Sequence, residues 1–346
     1  MLNFDRAQAS FNKAENFYNT QKIDDAASEY MKLIENAEPN IFSGLSYYRL
    51  AQIANNHMHD ADTAYGLYYK ALGMLPSLCK NLLQENNPNH DYVFRGLKDE
   101  RTLDKCPLCG EEGQPYWCYP LFIAAGFNAQ FNPIRLWMRC ESCNHLFSKY
   151  YPDKLFLYND EPRQPNPSYF SMYSNILTKL RDYTEGTRLF EVGTGAGECL
   201  LVAEEMGFYA VGIDVIERHV NAIKDRFDLR AETSDFLEYA SSDLWDIIIM
   251  GDVLEHVSDP VKAIEKAYEI LNDTGVLWIS TPNFESAFAR VVGHNDPMRM
   301  QTFHLNYFSR SSLFKLLLDK GFELVDYHVS SHYNGSMEVI SRKKSQ

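Results

Sequence analysis

The sequence predicts an α/β protein built on a Rossmann-like, seven-stranded sheet, mostly parallel with its last strand antiparallel, behind an α-helical repeat region and a small cysteine-bound ribbon. Three observations predict it. Beyond residue 165, short apolar runs alternate with helical patterns, the mark of a parallel sheet covered by helices. One run, "RLFEVGTGAGECL" (Arg188 to Leu200), passes through glycines at alternate positions into a helix. Upstream, two C-x-x-C pairs, Cys106/Cys109 and Cys140/Cys143, have 30 residues between them.

A chain of 346 residues has room for two or three cores. The expected units are a helical region over 1–95, the cysteine module over 100–157 and the α/β domain over 165–346. The formal charge of −14, from 47 acidic and 33 basic residues, repels a polyphosphate backbone, so nucleic acid is a disfavoured partner. No apolar run approaches the roughly 18 residues that span a bilayer. "MLNFDRAQASFNKAENF" lacks a basic stretch followed by an apolar one, which leads us to expect a cytoplasmic protein with no membrane contact. In that reducing compartment seven cysteines are free thiols or metal ligands, not disulfides.

From Phe4 to about Leu83 the chain is rich in Ala, Leu, Tyr and Asn at helical spacing. Asp25, Ala27 and Pro39 recur as Asp62, Ala64 and Pro76, each 37 positions on, so the region resembles two degenerate tetratricopeptide-like hairpins, whose usual period is about 34. Two readings stand: a docking surface for a partner protein or substrate carrier, and a helical cap on the rest of the chain. About three repeats are normally needed for a free-standing solenoid, which favours the cap. "QENNPNHD" (Gln84 to Asp91) reads as a linker.

The paired C-x-x-C knuckles put four thiolates, Cys106, Cys109, Cys140 and Cys143, where one tetrahedral zinc ion could take them. Four sulfur ligands leave no open position for water, so the expected zinc is structural. "LWMRC" and "HLFSKYY" suggest hairpin strands of a zinc ribbon, and Cys118 and His145 are spare donors with no need to bind metal. A boundary is expected in "YNDEPRQPNPSYF" (Tyr158 to Phe170), followed by the helix "SYFSMYSNILTKLRDY". The strands of the sheet are "RLFEVG", "YAVGID", "LRAET", "WDIIIMG" and "GVLWIST", with helices from about Glu198, Glu217, Phe236 and Pro260. "FELVDYHV" and "SMEVISRK" close the sheet as an antiparallel hairpin.

The ligand site belongs at the carboxyl ends of these strands. Gly193, Gly195 and Gly197 form G-x-G-x-G, whereas the dinucleotide fingerprint needs a glycine where Glu198 stands. Glu191 adds a carboxylate that would repel a pyrophosphate and welcome an ammonium, and S-adenosylmethionine carries an ammonium and a ribose. Asp214, 17 positions after Gly197, is placed to accept the ribose hydroxyls. Asp235 is placed for the adenine amino group, Phe236 or the adjacent backbone for the face of the base, and Asp252, also a candidate cofactor-binding residue, opens a stretch to His256 at the mouth of the site.

"EVGTGAGECL", "GID", "DVLEHVSDP", "ILNDTGVLWISTPN" and "HLNYFSRSSLFKLLLDKGFE", in that order, resemble a class I S-adenosylmethionine-dependent methyltransferase over about Tyr169 to Lys343. Within that superfamily they are similar to the small-molecule branch of ubiquinone-type and sugar or natural-product enzymes. The resemblance implies that Glu191 neighbours the methionine part of the cofactor, that the three glycines face it, and that Asp214 holds the ribose. The cysteine module resembles a part of some sugar and ribosomal RNA methyltransferases.

Methyl transfer is an in-line displacement that aligns nucleophile, methyl carbon and sulfur. For a hydroxyl acceptor, on a small or carrier-bound metabolite such as a sugar, a histidine tuned near neutral pH is the natural base. His304 ranks first and His256 second, with Glu255 to orient either ring and Tyr307 to hydrogen-bond the acceptor. Asn283 to Asn306 is long enough for an acceptor-binding lid carrying Met298, Met300 and Phe303. Two other classes compete: an interaction protein with a degenerate nucleotide fold, against which the intact Glu191, Asp214 and glycines count, and an RNA methyltransferase using Lys149, Lys154 and Arg163.

Overall fold

A computed structural model describes residues 4–36, 40–124, 126–152, 162–241 and 243–345. Pro39, Lys154 and the first part of the expected boundary segment, Tyr158 included, lie outside the described residues.

Four helices open the chain, α1 (Phe4–Asn19), α2 (Ile23–Asn36), α3 (Ile41–Asn56) and α4 (Ala61–Met74), with a short α5 (Cys79–Leu82). The two similar sequence segments are α2 and α4. Ala14, Ala26, Tyr30, Leu50 and Ile53 form a small core among α1 to α3. The other face of α3 and α4 is covered by the cysteine module: Ala51, Ala64, Tyr68 and Leu72 pack with Cys118, Phe122, Ile134 and Leu136. Asn55 fixes this contact, its Nδ2 donating to the Cys118 carbonyl at 3.0 Å and its Oδ1 accepting from the Cys118 N–H at 2.9 Å. The expected linker is also pinned, since buried Asn89 donates to the carbonyl of Ala124 at 2.6 Å.

The module holds β1 (Glu100–Thr102), β2 (Gln114–Pro120), β3 (Ile134–Cys140), β4 (His145–Ser148) and β5 (Tyr150–Pro152). β1 and β5 pair antiparallel, and β2, β3 and β4 form an antiparallel sheet in chain order. Beyond it come α6 (Pro167–Leu180), β6 (Arg188–Val192), α7 (Glu198–Glu205), β7 (Tyr209–Asp214), α8 (Glu217–Phe227), β8 (Ala231–Thr233), β9 (Trp245–Gly251), α9 (Pro260–Ile270) and β10 (Leu271–Pro282). The chain ends with α10 (Ala287–Val292), α11 (Pro297–Met300), β11 (Asn306–Tyr307), α12 (Arg310–Asp319), β12 (Phe322–Val329) and β13 (Ser336–Lys343). Asn166 before Pro167 and Asp259 before Pro260 cap α6 and α9 with side-chain oxygens, a start signal visible in the sequence.

The large sheet has the order β12-β13-β10-β9-β6-β7-β8. β10, β9, β6, β7 and β8 are parallel, and β13 runs antiparallel to both β10 and β12. Central β9 reads as a continuous apolar run because both faces are covered: Ile248 and Met250 pack against α9 and α12, Ile247 and Ile249 against α6 and α7. No helix starts at Phe236. Asp235 Oδ1 accepts from the Leu237 N–H at 2.9 Å, a turn that competes with helix, and residues 236–238 stay a turn.

β11 belongs to neither expected unit alone. It comes from the carboxyl-terminal half yet pairs with β4, giving the ribbon its fourth strand. Among the described residues no helix is long and apolar enough to cross a membrane.

Candidate functional site

β6 delivers the chain into the glycine loop at the centre of the sheet. Gly193, Gly195 and Gly197 have φ of +80°, +54° and +90°. At Gly197 a Cβ would also lie 3.0 Å from Ile223 Cγ2, so both conformation and space demand glycine. Asp214, at the end of β7, ties this loop to its own strand: Oδ2 accepts from Gly195 N at 3.0 Å and Oδ1 from Ile216 N at 2.8 Å. Each carboxylate oxygen keeps a further lone pair for a ligand hydroxyl.

Around the loop the charge is one-sided. Glu191 is 3% exposed, and its Oε2 has no hydrogen-bond partner. Burial, followed by repulsion from Glu198 and Asp214, pushes its pKa well above the ordinary carboxylate value, while the Cys199 thiol lowers it. Glu198 is buried as well, and accepts from Asn166 N at 2.8 Å. Among the described residues neither Glu191 nor Glu198 has a lysine or arginine within ion-pair distance, and the buried Thr194 hydroxyl has no partner. Such a cup suits a ligand bearing a cation and hydroxyl groups and opposes a phosphate.

Asp235 is exposed beyond β8. The Phe236 side chain points elsewhere than expected: it is 3% exposed in the core beside Phe190, 6.4 Å between ring centroids, so only its backbone is left to flank a base. Asp252 follows β9 in the left-handed region, φ +52°, and Ser280 Oγ donates to its Oδ1 at 3.1 Å. Burial raises its pKa, and Glu338 adds to the shift.

His256 and His304 do come together, 4.8 Å between ring centroids. Nδ1 of His256 donates to the carbonyl of Phe303 at 3.1 Å, and Nδ1 of His304 to that of Met298 at 2.9 Å, so that among the described residues neither Nε2 has a hydrogen bond. Neither imidazole is tuned near neutrality: burial lowers His256 to about 4, and burial with its neighbour His256 lowers His304 well below the ordinary value. Among the described residues Glu255 makes no hydrogen bond to either ring; its Oε2 accepts from Thr281 Oγ1 at 2.9 Å. The ligating atoms of Glu255, His256 and His304 nevertheless lie within 4.8 Å of one another, a set able to take a cation.

The segment from Asn283 to Asn306 is not a free lid. It is stapled to the ribbon: Trp137 Nε1 donates to the Arg299 carbonyl at 3.0 Å, and the Tyr119 hydroxyl to that of His294 at 2.9 Å. The buried Arg135 guanidinium donates to the carbonyls of Thr302 and His304. Met298 and Met300 pack on Trp117, Tyr119 and Trp137. Tyr307 is 1% exposed within this same cluster, its hydroxyl donating to Asp296 Oδ2 at 2.5 Å, so it faces the ribbon rather than an acceptor.

In the ribbon, Sγ of Cys106 lies 3.5 Å from that of Cys143, and Sγ of Cys109 lies 3.4 Å from Cys140 and 3.6 Å from Cys143. Tetrahedral zinc–thiolate bonds of about 2.3 Å separate their sulfurs by about 3.8 Å, so the four thiols fit one ion with small adjustment. Cys118 and His145 are buried apart from this group, the former bonded through its backbone to Asn55, the latter through Nε2 to Asn306 at 3.3 Å. Lys149 sits between Asp62 and Asp104, at 3.8 and 3.9 Å, which removes it as a free positive charge for RNA.

Residues 153–327, half of the chain, match a family model described as a methyltransferase domain. The chain belongs to this methyltransferase family. It is similar over 177 residues, at 25% identity, to a protein of Mycolicibacterium smegmatis whose name reads probable S-adenosylmethionine-dependent methyltransferase, covering 50% of this chain and 66% of that one. It is 32% identical over 106 residues to the ubiquinone biosynthesis O-methyltransferase of Chelativorans sp., covering 29% of this chain and 42% of the relative. These matches therefore span less than two thirds of the relatives' own lengths. Among solved structures, magnesium protoporphyrin IX methyltransferase of Synechocystis PCC 6803 has a TM-score of 0.43 at 16% identity, covering 54% of this chain and 90% of that one. The amino-terminal helices and strands β1 to β5 lie outside the matched family region, whereas β11, the ribbon's fourth strand, lies within it.

A group that sequence reasoning missed lies beside Asp252: Tyr173, Trp278, Tyr333 and Glu338 surround one cavity with it. The available signal was Glu338, a carboxylate interrupting the apolar strand "SMEVI" near the ligand end of the sheet.

Proposed function

We propose that the chain is an S-adenosylmethionine-dependent methyltransferase whose acceptor is a small or carrier-bound metabolite of the sugar or natural-product kind. The observation that carries the reading is the glycine loop ringed by Glu191, Glu198 and Asp214, with Glu191 Oε2 buried and unpartnered. Glu191 would hold the cofactor's ammonium, Asp214 the ribose hydroxyls and Asp235 the adenine amino group, with Gly193, Gly195 and Gly197 allowing close approach. When bound, the cofactor supplies an electrophilic methyl group; the residues of this chain bind, align and manage the proton.

Calorimetry of the full chain should show binding of S-adenosylmethionine and S-adenosylhomocysteine. Asp214→Ala should weaken it by about 1.5–3 kcal/mol, the value of hydrogen bonds to a charged group. Failure of the wild type to bind either nucleoside rejects the reading.

If the acceptor is a hydroxyl, His256 and His304 are the candidate proton acceptors, and their environment sets the form of the test. A buried imidazole with its pKa lowered to about 4, as for His256, is neutral throughout the neutral range, so its basic form is lost only on acidification past that value. A rate that depends on it should therefore show no inflection near 6.5, the ordinary histidine value of about 6.5 notwithstanding. An inflection there that vanishes in His256→Ala would contradict this.

The four cysteines are proposed to hold a structural zinc ion, supported by their sulfur spacing. Elemental analysis of protein purified without chelator should find about one zinc per chain, lost in Cys106→Ser. Metal-free protein with an intact ribbon would reject the assignment. The helices α3 and α4 are read as its cap, supported by the two Asn55 bonds.

A further inference from the structure

A small cleft lies between α6 and the ligand end of the sheet, next to the loop that follows β9. Its chemistry comes from segments far apart in sequence: Tyr173 on α6, Asp252 after β9, Trp278 on β10, and Tyr333 and Glu338 at the β12–β13 hairpin.

Two carboxylates face one another here. Glu338 lies opposite Ser280 in the β10–β13 register, and Ser280 Oγ donates to Asp252 at 3.1 Å, so both acids flank one serine. No lysine or arginine lines the cavity, and among the described residues neither acid has one within ion-pair distance. Two like charges on one partly buried wall raise one another's cost, and a bound cation would relieve it.

Three aromatic side chains, Tyr173, Trp278 and Tyr333, share the remaining walls with Met172, Ile176 and small polar residues. Trp278 is 4% exposed, and Tyr173 has a hydroxyl with no hydrogen-bond partner among the described residues, in surroundings whose burial pushes its pKa well above the ordinary value. Aromatic faces beside paired carboxylates are the surroundings an organic ammonium prefers, and an anionic or phosphorylated group would meet repulsion without a counter-charge. Glu191 is not among the cavity's walls, so the acids here are additional to the one that answers the cofactor's ammonium.

Resting on the methyltransferase reading, we propose that this cavity takes the acceptor by a protonated amine, and that nitrogen, rather than a hydroxyl oxygen, is the atom methylated. The ammonium gives one proton to the Asp252–Glu338 pair. Its freed lone pair forms the nitrogen–carbon bond as the donor's carbon–sulfur bond breaks, the sulfur keeping that electron pair as a neutral thioether. The product is the N-methyl ammonium, and the carboxylate pair returns its proton to water.

Three probes of one shape test this by calorimetry at pH 7 on the full chain saturated with S-adenosylhomocysteine: benzylamine, benzyl alcohol and benzoate. Benzylamine should bind at least about tenfold more tightly than benzyl alcohol, with benzoate weakest, as expected for a cation between carboxylates and rings. Glu338→Gln should bring amine and alcohol to within about threefold of one another, and Tyr333→Leu should weaken the amine selectively. Both variants should keep their affinity for S-adenosylhomocysteine. Equal or tighter binding of the alcohol, undetectable binding of the amine, or a preference that survives Glu338→Gln would overturn the inference. If S-adenosylhomocysteine binds in any of those outcomes, the methyltransferase reading stands and the amine assignment alone falls; if it does not bind, both fall.

Discussion

Arg135 is a buried cation whose guanidinium reaches across from the ribbon to hold the carbonyls of Thr302 and His304. Burial lowers its pKa to about 10, which still leaves it charged at neutral pH. A charge in that position is tolerable only while its donors are satisfied, so the ribbon strand β3 and the segment before β11 must stay together. The histidine pair inherits this constraint. Met298 and Phe303, whose carbonyls receive the Nδ1 protons of His304 and His256, belong to the same clamped segment. The pairing of β4 with β11 and the Trp137 bond to Arg299 repeat the connection. The cysteine centre is thus coupled to the site through packing, and α3 and α4 complete the stack by covering the ribbon's other side.

The acidic groups at the ligand end of the sheet fall into two sets with different neighbours. Glu191, Glu198 and Asp214 surround a backbone turn rich in N–H groups, a mixture that suits a ligand with both a cation and hydroxyls. Asp252 and Glu338 face aromatic rings instead, where only an organic cation gains from both kinds of wall. Two separate clusters of negative charge are consistent with the acidic balance of the whole chain and with the paired state of Lys149. They make a polyanionic substrate a poor fit at close range as well as at long range.

Much of this was legible locally. Glycines at 193, 195 and 197, the carboxylate at 214 and the two C-x-x-C pairs are short-range patterns whose spacing reports geometry directly. The apolar run of β9 likewise announced a strand covered on both faces. Tertiary contacts decided the rest. Met298, Met300 and Tyr307 have the composition of a lid, yet two tryptophans and a buried arginine from about 160 residues upstream turn that segment into a wall. Of Phe236 and its adjacent backbone, either of which could flank a base, the core beside Phe190 takes the ring. The cavity was invisible because its five key residues lie on four separated segments, and only the sheet order brings Glu338 beside Asp252.

The measurement that bears most directly on the coupling of ribbon and site is amide hydrogen exchange on the full chain, comparing wild type with Arg135→Met. Loss of the guanidinium should leave the carbonyls of Thr302 and His304 unpaired and loosen their segment locally. The account predicts that amides across residues 301–306 exchange at least about tenfold faster, while those of β6 and β7 keep their protection. Unchanged protection across 301–306, or loss that is equal in β6 and β7, would contradict it.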